Sequence, residues 1–160
     1  MADDDHTTGS HGHRLDRELN ELLQELRVIQ GGILLLVGFL LVIAFSSGFQ
    51  RVTDFQKVIY YVTLLVTGIA AIVVISPVVH HRLAFRKHDK ERIVVRGNLM
   101  LLIAIVLASF SILGITVLVS DVLWGSSVTI TFGVLTFLLT VVMWLVLPLH
   151  SIWSSNRLEP

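Results

Sequence analysis

No cysteine occurs in the chain. Its absence excludes disulfides, thiolate catalysis, cysteine-ligated zinc and thiol redox sensing together. Charge is scarce too: Asp, Glu, Lys and Arg make up 15% of the 160 residues, against about 25% in a water-soluble domain. With histidine neutral the net charge is zero. There is no basic surplus of the kind a nucleic-acid partner requires. Carboxylate pairs, a nucleophile elbow and a glycine-rich phosphate loop are all missing. Gly31, Gly32 and Gly97 stand in helical context rather than in such a loop. The chain reads as a non-enzyme without a cofactor.

What is present is apolar length. Hydrophobic residues form 54% of the chain and gather in four runs, 31–49, 58–79, 97–119 and 128–149. All four lack Asp, Glu, Lys, Arg and His. Each is close to the roughly 20 residues that carry a helix across about 30 Å of hydrocarbon. The expected fold class is all-α, a polytopic membrane protein with four transmembrane helices and an N-terminal amphipathic helix. The bilayer is its first partner.

The flanking segments set the orientation. Residues 1–13 (MADDDHTTGSHGH) have no apolar periodicity and read as a disordered tail. In 14–30, Leu15, Leu19, Leu22, Leu26 and Ile29 recur at alternating steps of four and three, the stripe of an amphipathic helix. Its charge from Leu15 to Gln30 is −2, from four acids and two arginines. A helix that bound anionic lipid by itself would be basic on its polar face. Protein is the better match. Two readings of Gly31-Gly32 stay open: a bend between this helix and the first span, or one continuous helix.

Between the second and third runs lies 80–96 (HHRLAFRKHDKERIVVR), with six of the twelve Lys and Arg residues and a net +4. Lys and Arg resist translocation, so a short basic loop between spans stays in the cytoplasm. The N-terminal segment, this loop and the 150–160 tail hold ten basic residues, whereas the other two loops hold two. Both termini are therefore expected in the cytoplasm, and four spans have the matching parity.

Two groups of residues are candidates for function. At the cytoplasmic face, Glu18, Glu21, Glu25 and Arg27 stand opposite Arg82, Arg86, Lys87 and Arg92 in charge. Glu21 or Glu25 is expected to face Arg82, Arg86 or Arg92, and the whole set forms a candidate interaction surface. Within or beside the spans, Thr63, Thr67, Ser111, Asp121, Thr136 and Thr140 would line a polar path if they converged. Hydroxyls in such helices more often bond their own carbonyls or a neighbouring helix. No metal site is expected, since arginines flank the histidines of the basic loop.

The run 18–28 (ELNELLQELRV), leading straight into an apolar helix, resembles a family of small bacterial four-helix membrane proteins catalogued as a domain of unknown function. Gln56 with Tyr60 or Tyr61 before Thr63-Leu64-Leu65, the 77–82 exit (PVVHHR), Phe85-Arg86, Ser120-Asp121-Val122 and Leu147-Pro148-Leu149 extend the similarity over 15–149. The resemblance implies a bacterial inner-membrane protein. Some members of such families carry the label sodium:proton antiporter. Two functions follow as expectations. One is an accessory protein whose cytoplasmic surface docks another membrane protein or a copy of itself. The other is a small ion or solute transporter acting as a homo-oligomer.

Overall fold

The computed structural model describes the backbone of residues 4–84 and 90–150, and the side chains of residues 17, 20–79 and 95–150. The chain forms α1 (Asp4–Ala44), α2 (Asp54–Ala84), α3 (Lys90–Trp124) and α4 (Ser126–Val141). A 3₁₀ turn, Phe49–Arg51, stands between α1 and α2. A π turn, Val142–Val146, follows α4 and leads into helix ending at His150. No strand occurs among the described residues. Four segments are long and apolar enough to cross a membrane: Asn20–Ala44, Asp54–Val79, Val95–Trp124 and Ser126–His150. The protein is all-α and polytopic, as its four apolar runs predict.

Of the two readings of Gly31-Gly32 the continuous helix holds: α1 runs through both glycines without interruption and ends at Ala44. Two interior glycines weaken a helix by about 1 kcal/mol each. Packing on both sides of the pair outweighs that cost. Leu22, Leu26, Ile33 and Leu40 are all buried at heptad-compatible spacing, so one stripe continues across the glycines. α1 also extends back to Asp4, into residues whose composition predicts a disordered tail. Adding residues to an existing helix costs far less than nucleating one. Residues 1–3 lie outside the described chain, as do 151–160.

The chain divides into two compact units, and α2 and α3 contribute to both. In the first, Met1–Ser46 with Leu64–Ala108, Leu22, Leu26 and Ile33 of α1 meet Ala70, Ala71 and Val74 of α2 and Leu101 and Ala104 of α3. Three of these residues are alanines, and a fourth packs at the cluster's edge; small side chains let helices come close, and in lipid that closeness, not hydrophobicity, holds them together.

 The four are Ala70, Ala71, Ala104 and, packed at the edge of the same cluster, Ala108. Gly97 makes the tightest approach. A Cβ there would stand 2.6 Å from Leu22 Cδ2 and 3.9 Å from Pro77 Cβ. Proline inside α2 removes the donor to the Val73 carbonyl, yet α2 continues past it and Pro77 is buried. Leu22 meets Gly97, and residues 24–29 of α1 line one cavity with Leu101 and Ile105 of α3, so the two helices run parallel in this unit.

The second unit joins Ser47–Thr63 to Ser109–Pro160. Tyr60, 1% exposed, packs edge-on against Phe49 at 4.6 Å between ring centres. Thr63 of α2 occupies the space left by Gly114 of α3, where any Cβ would collide with its Oγ1, Cβ and Cγ2. α4 leans on α3 through Gly133, whose absent Cβ would lie 3.3 Å from Val117 Cγ2. The link from α3 to α4 turns at Gly125, whose φ of +79° favours glycine. In the π turn the Leu147 N–H donates to the Val142 carbonyl. This widening falls on the turn that the ring of Pro148 would crowd in a regular α-helix.

Gly114→Ala should lower stability by about 1–3 kcal/mol, because the β-branched Thr63 has little freedom to move away. Gly97→Ala should cost less, since Leu22 Cδ2 is the end of a flexible side chain. Thermal unfolding in mild detergent tests the order, and Thr63→Ala in the Gly114→Ala background should restore part of the loss.

Candidate functional site

The parallel packing of α1 and α3 builds a cavity of about 450 Å³, lined by Glu21, Gln24, Glu25, Val28 and Ile29 of α1 and by Leu101 and Ile105 of α3. Its polar groups sit at one end and its apolar walls at the other. The order along α1 makes this gradient: carboxylate, amide and carboxylate come first, and the apolar pair follows within one turn. Gly97 is level with Leu22, so Leu101 lies about 6 Å further along the α3 axis at 1.5 Å per residue. Leu101 and Ile105 belong to the membrane-crossing segment Val95–Trp124. Glu25 lines the cavity together with them.

Glu21, Glu25 and Gln24 are exposed. The Arg17 Nε donates to Glu21 Oε1 at 3.0 Å, a pair one helical turn apart. Both partners are largely open to solvent, so the pair contributes about 0.3–0.5 kcal/mol. Among the described residues Glu25 has no hydrogen bond or ion pair. Arg27 is exposed as well, but two residues on from Glu25 it points about 200° away around the helix. The acids thus share one side of α1 and the arginine faces another. Side chains of Glu18, Arg82, Arg86, Lys87 and Arg92 lie outside the described residues, and with them the expected pairing of Glu21 or Glu25 to that basic loop. Charge marks the two glutamates in the sequence and the apolar stripe marks Ile29, but no local pattern marks Gln24, Val28, Leu101 and Ile105 as their neighbours, because the cavity requires α1 and α3 to be packed first.

Of the polar-path residues, Thr67 falls in the first unit and Thr63, Ser111, Asp121, Thr136 and Thr140 in the second. Thr63, Thr67 and Ser111 are buried. The Thr140 hydroxyl donates to the Thr136 carbonyl at 2.8 Å, inside its own helix. Asp121 is half-buried and accepts from Gln56 Nε2 at 2.9 Å. Gln56, 8% exposed, also closes the start of α2. Its Oε1 accepts from the Thr53 N–H at 3.0 Å, and its own N–H donates to Thr53 Oγ1 at 3.3 Å. This reciprocal pair is a capping box. The sequence signal for it, Thr53-Asp54-Phe55-Gln56, has the required spacing. Among the described residues no group of His, Cys, Asp and Glu is arranged to hold a metal ion.

Gln56→Leu should cost about 1–2 kcal/mol, because it removes the cap and leaves Asp121 without that donor. Asp121→Asn should cost less than half as much, since an amide oxygen still accepts from Gln56. Unfolding midpoints in detergent compare the two; equal losses would show that Asp121 depends on its charge.

No curated protein and no solved structure matches the chain. A family match covers residues 8–148, nearly the whole helical region and both ends of the α1–α3 cavity. The chain belongs to the family of unknown function DUF6328.

Proposed function

We propose that this multi-pass protein is a non-catalytic accessory protein of the bacterial cytoplasmic membrane, which docks a partner at the acidic side of α1. The observation that carries the reading is the α1–α3 cavity, with Glu21, Gln24 and Glu25 exposed around one end of an apolar floor. Exposed carboxylates beside apolar walls make a recognition surface, with the apolar part giving contact area and the charges choosing the partner. The ten-to-two distribution of basic residues supports a cytoplasmic placement for this end of the helices and for both termini. On this reading the surface acts by binding. Its partners are another membrane protein or a second copy of the chain, without nucleic acid.

Charge reversal tests the reading. Glu21→Lys with Glu25→Lys should abolish co-purification of the partner in mild detergent while leaving the unfolding midpoint within about 0.5 kcal/mol of the parent, as for other exposed sites. Unchanged co-purification would defeat it.

A second reading has one specific observation in its favour. Thr63, Thr67 and Ser111, expected on a polar path, are buried in the helix packing, and a pore chooses its ions by the polar groups that line it. On this reading the chain is a small ion or solute transporter of the sodium/proton type, working as an oligomer. Vesicles reconstituted with the protein and loaded with a pH or sodium dye decide between the two. The docking reading expects no flux above empty vesicles, and flux lost on Thr67→Val with Thr136→Val would establish transport instead.

A further inference from the structure

We infer that α1 is jointed at Gly31-Gly32, and that the segment before the joint swings against α3 to open and close the α1–α3 cavity. The inference goes beyond the docking reading and does not depend on it. What the two glycines are not needed for comes first. Gly97, Gly114 and Gly133 each leave room for a neighbouring side chain, and Gly125 supplies a positive φ. Gly31 and Gly32 do neither. Among the described residues a Cβ at either position meets nothing within 4 Å, and neither glycine has a positive φ. Both are exposed. Alanine would fit there and is the better helix former. What adjacent glycines add is freedom to bend, since sharp kinks in helices gather at proline and at pairs of glycine or serine. Gly38 and Gly68 have open space too, but each stands alone between larger residues.

The place of the pair in the chain gives the bend its effect. The α1 wall of the cavity, from Glu21 to Ile29, lies wholly before the glycines. The opposite wall, Leu101 and Ile105, belongs to α3. Ile33 and Leu40, past the pair, are buried and hold the rest of α1 in place. A bend at the joint therefore moves one wall of the cavity against the other while the span beyond it stays packed. Leu22 and Leu26 are the closing contacts, both buried, with Leu22 set over Gly97.

Spin-label distances in lipid vesicles test the inference on the full chain. The chain has no native cysteine, so paired labels go at chosen positions. With Leu22 level with Gly97, Val106 of α3 is level with Gly31. Asn20 and Val42 lie on either side of Gly31, each about 16 Å from it along the axis at 1.5 Å per residue. All three label sites are exposed. The pair Asn20→Cys with Val106→Cys reports the segment before the joint, and Val42→Cys with Val106→Cys reports the packed span. The first pair should give the broader distribution of distances. Gly31→Ala with Gly32→Ala should narrow it to the width of the second pair and leave the second pair unchanged. Leu22→Ala, which releases the segment, should shift the first pair to longer distances with the glycines in place and not with the two alanines. Equal widths for the two pairs in the parent, or an unchanged first distribution with the alanines, would overturn the inference. A lower unfolding midpoint for the double-alanine variant would overturn it too, because the glycines would then be making room for a neighbour such as a second copy of the chain. Co-purification that ignores Glu21 and Glu25 would remove the docking reading and leave the joint in place.

Discussion

Helices in a bilayer gain nothing by hiding apolar surface from one another, since lipid tails are as apolar as leucine. Association then depends on how closely the helices can approach. In one unit this constraint is met where Leu22 of α1 and Pro77 of α2 close on Gly97 of α3, with alanines below them at Ala70, Ala71 and Ala104. In the other it is met by Thr63 against Gly114 and by Val117 against Gly133. The large side chains outside these contacts, among them most of α4, are exposed and available to lipid. The small residues are therefore as decisive here as the large ones are in a water-soluble core.

Packing at Gly97 has a consequence for charge. It draws the amphipathic part of α1 down beside α3, so the acids of that helix come level with apolar residues of a crossing segment. Water at the membrane boundary tolerates such a carboxylate through its exposed side, and a cationic partner would compensate it further. An exposed carboxylate beside apolar walls serves recognition for as long as it stays accessible.

Polar side chains in the other unit are used for geometry. Gln56 joins the start of α2 to Asp121 near the end of α3 while completing a capping box with Thr53. The hydroxyls of Thr116, Thr129 and Thr140 return to carbonyls four residues earlier. Each of these bonds satisfies a group that lipid could not, which is the general requirement on polar atoms at membrane depth.

Composition and periodicity alone determined the all-α class, the four crossing segments, the acidic stripe of α1 and the basic character of the second loop. They could do so because a bilayer has a fixed thickness and charge is expensive inside it, so length and charge placement are read locally along the chain. The capping box was equally local, written in Thr53 and Gln56. Two things were decided only by the tertiary structure: the continuity of α1 across Gly31 and Gly32, and the groove completed by Leu101 and Ile105. Each depends on which residues far apart in the chain are brought into contact, and at Gly97 the missing side chain allows that contact while nothing in its own neighbourhood of sequence says which leucine will fill the space.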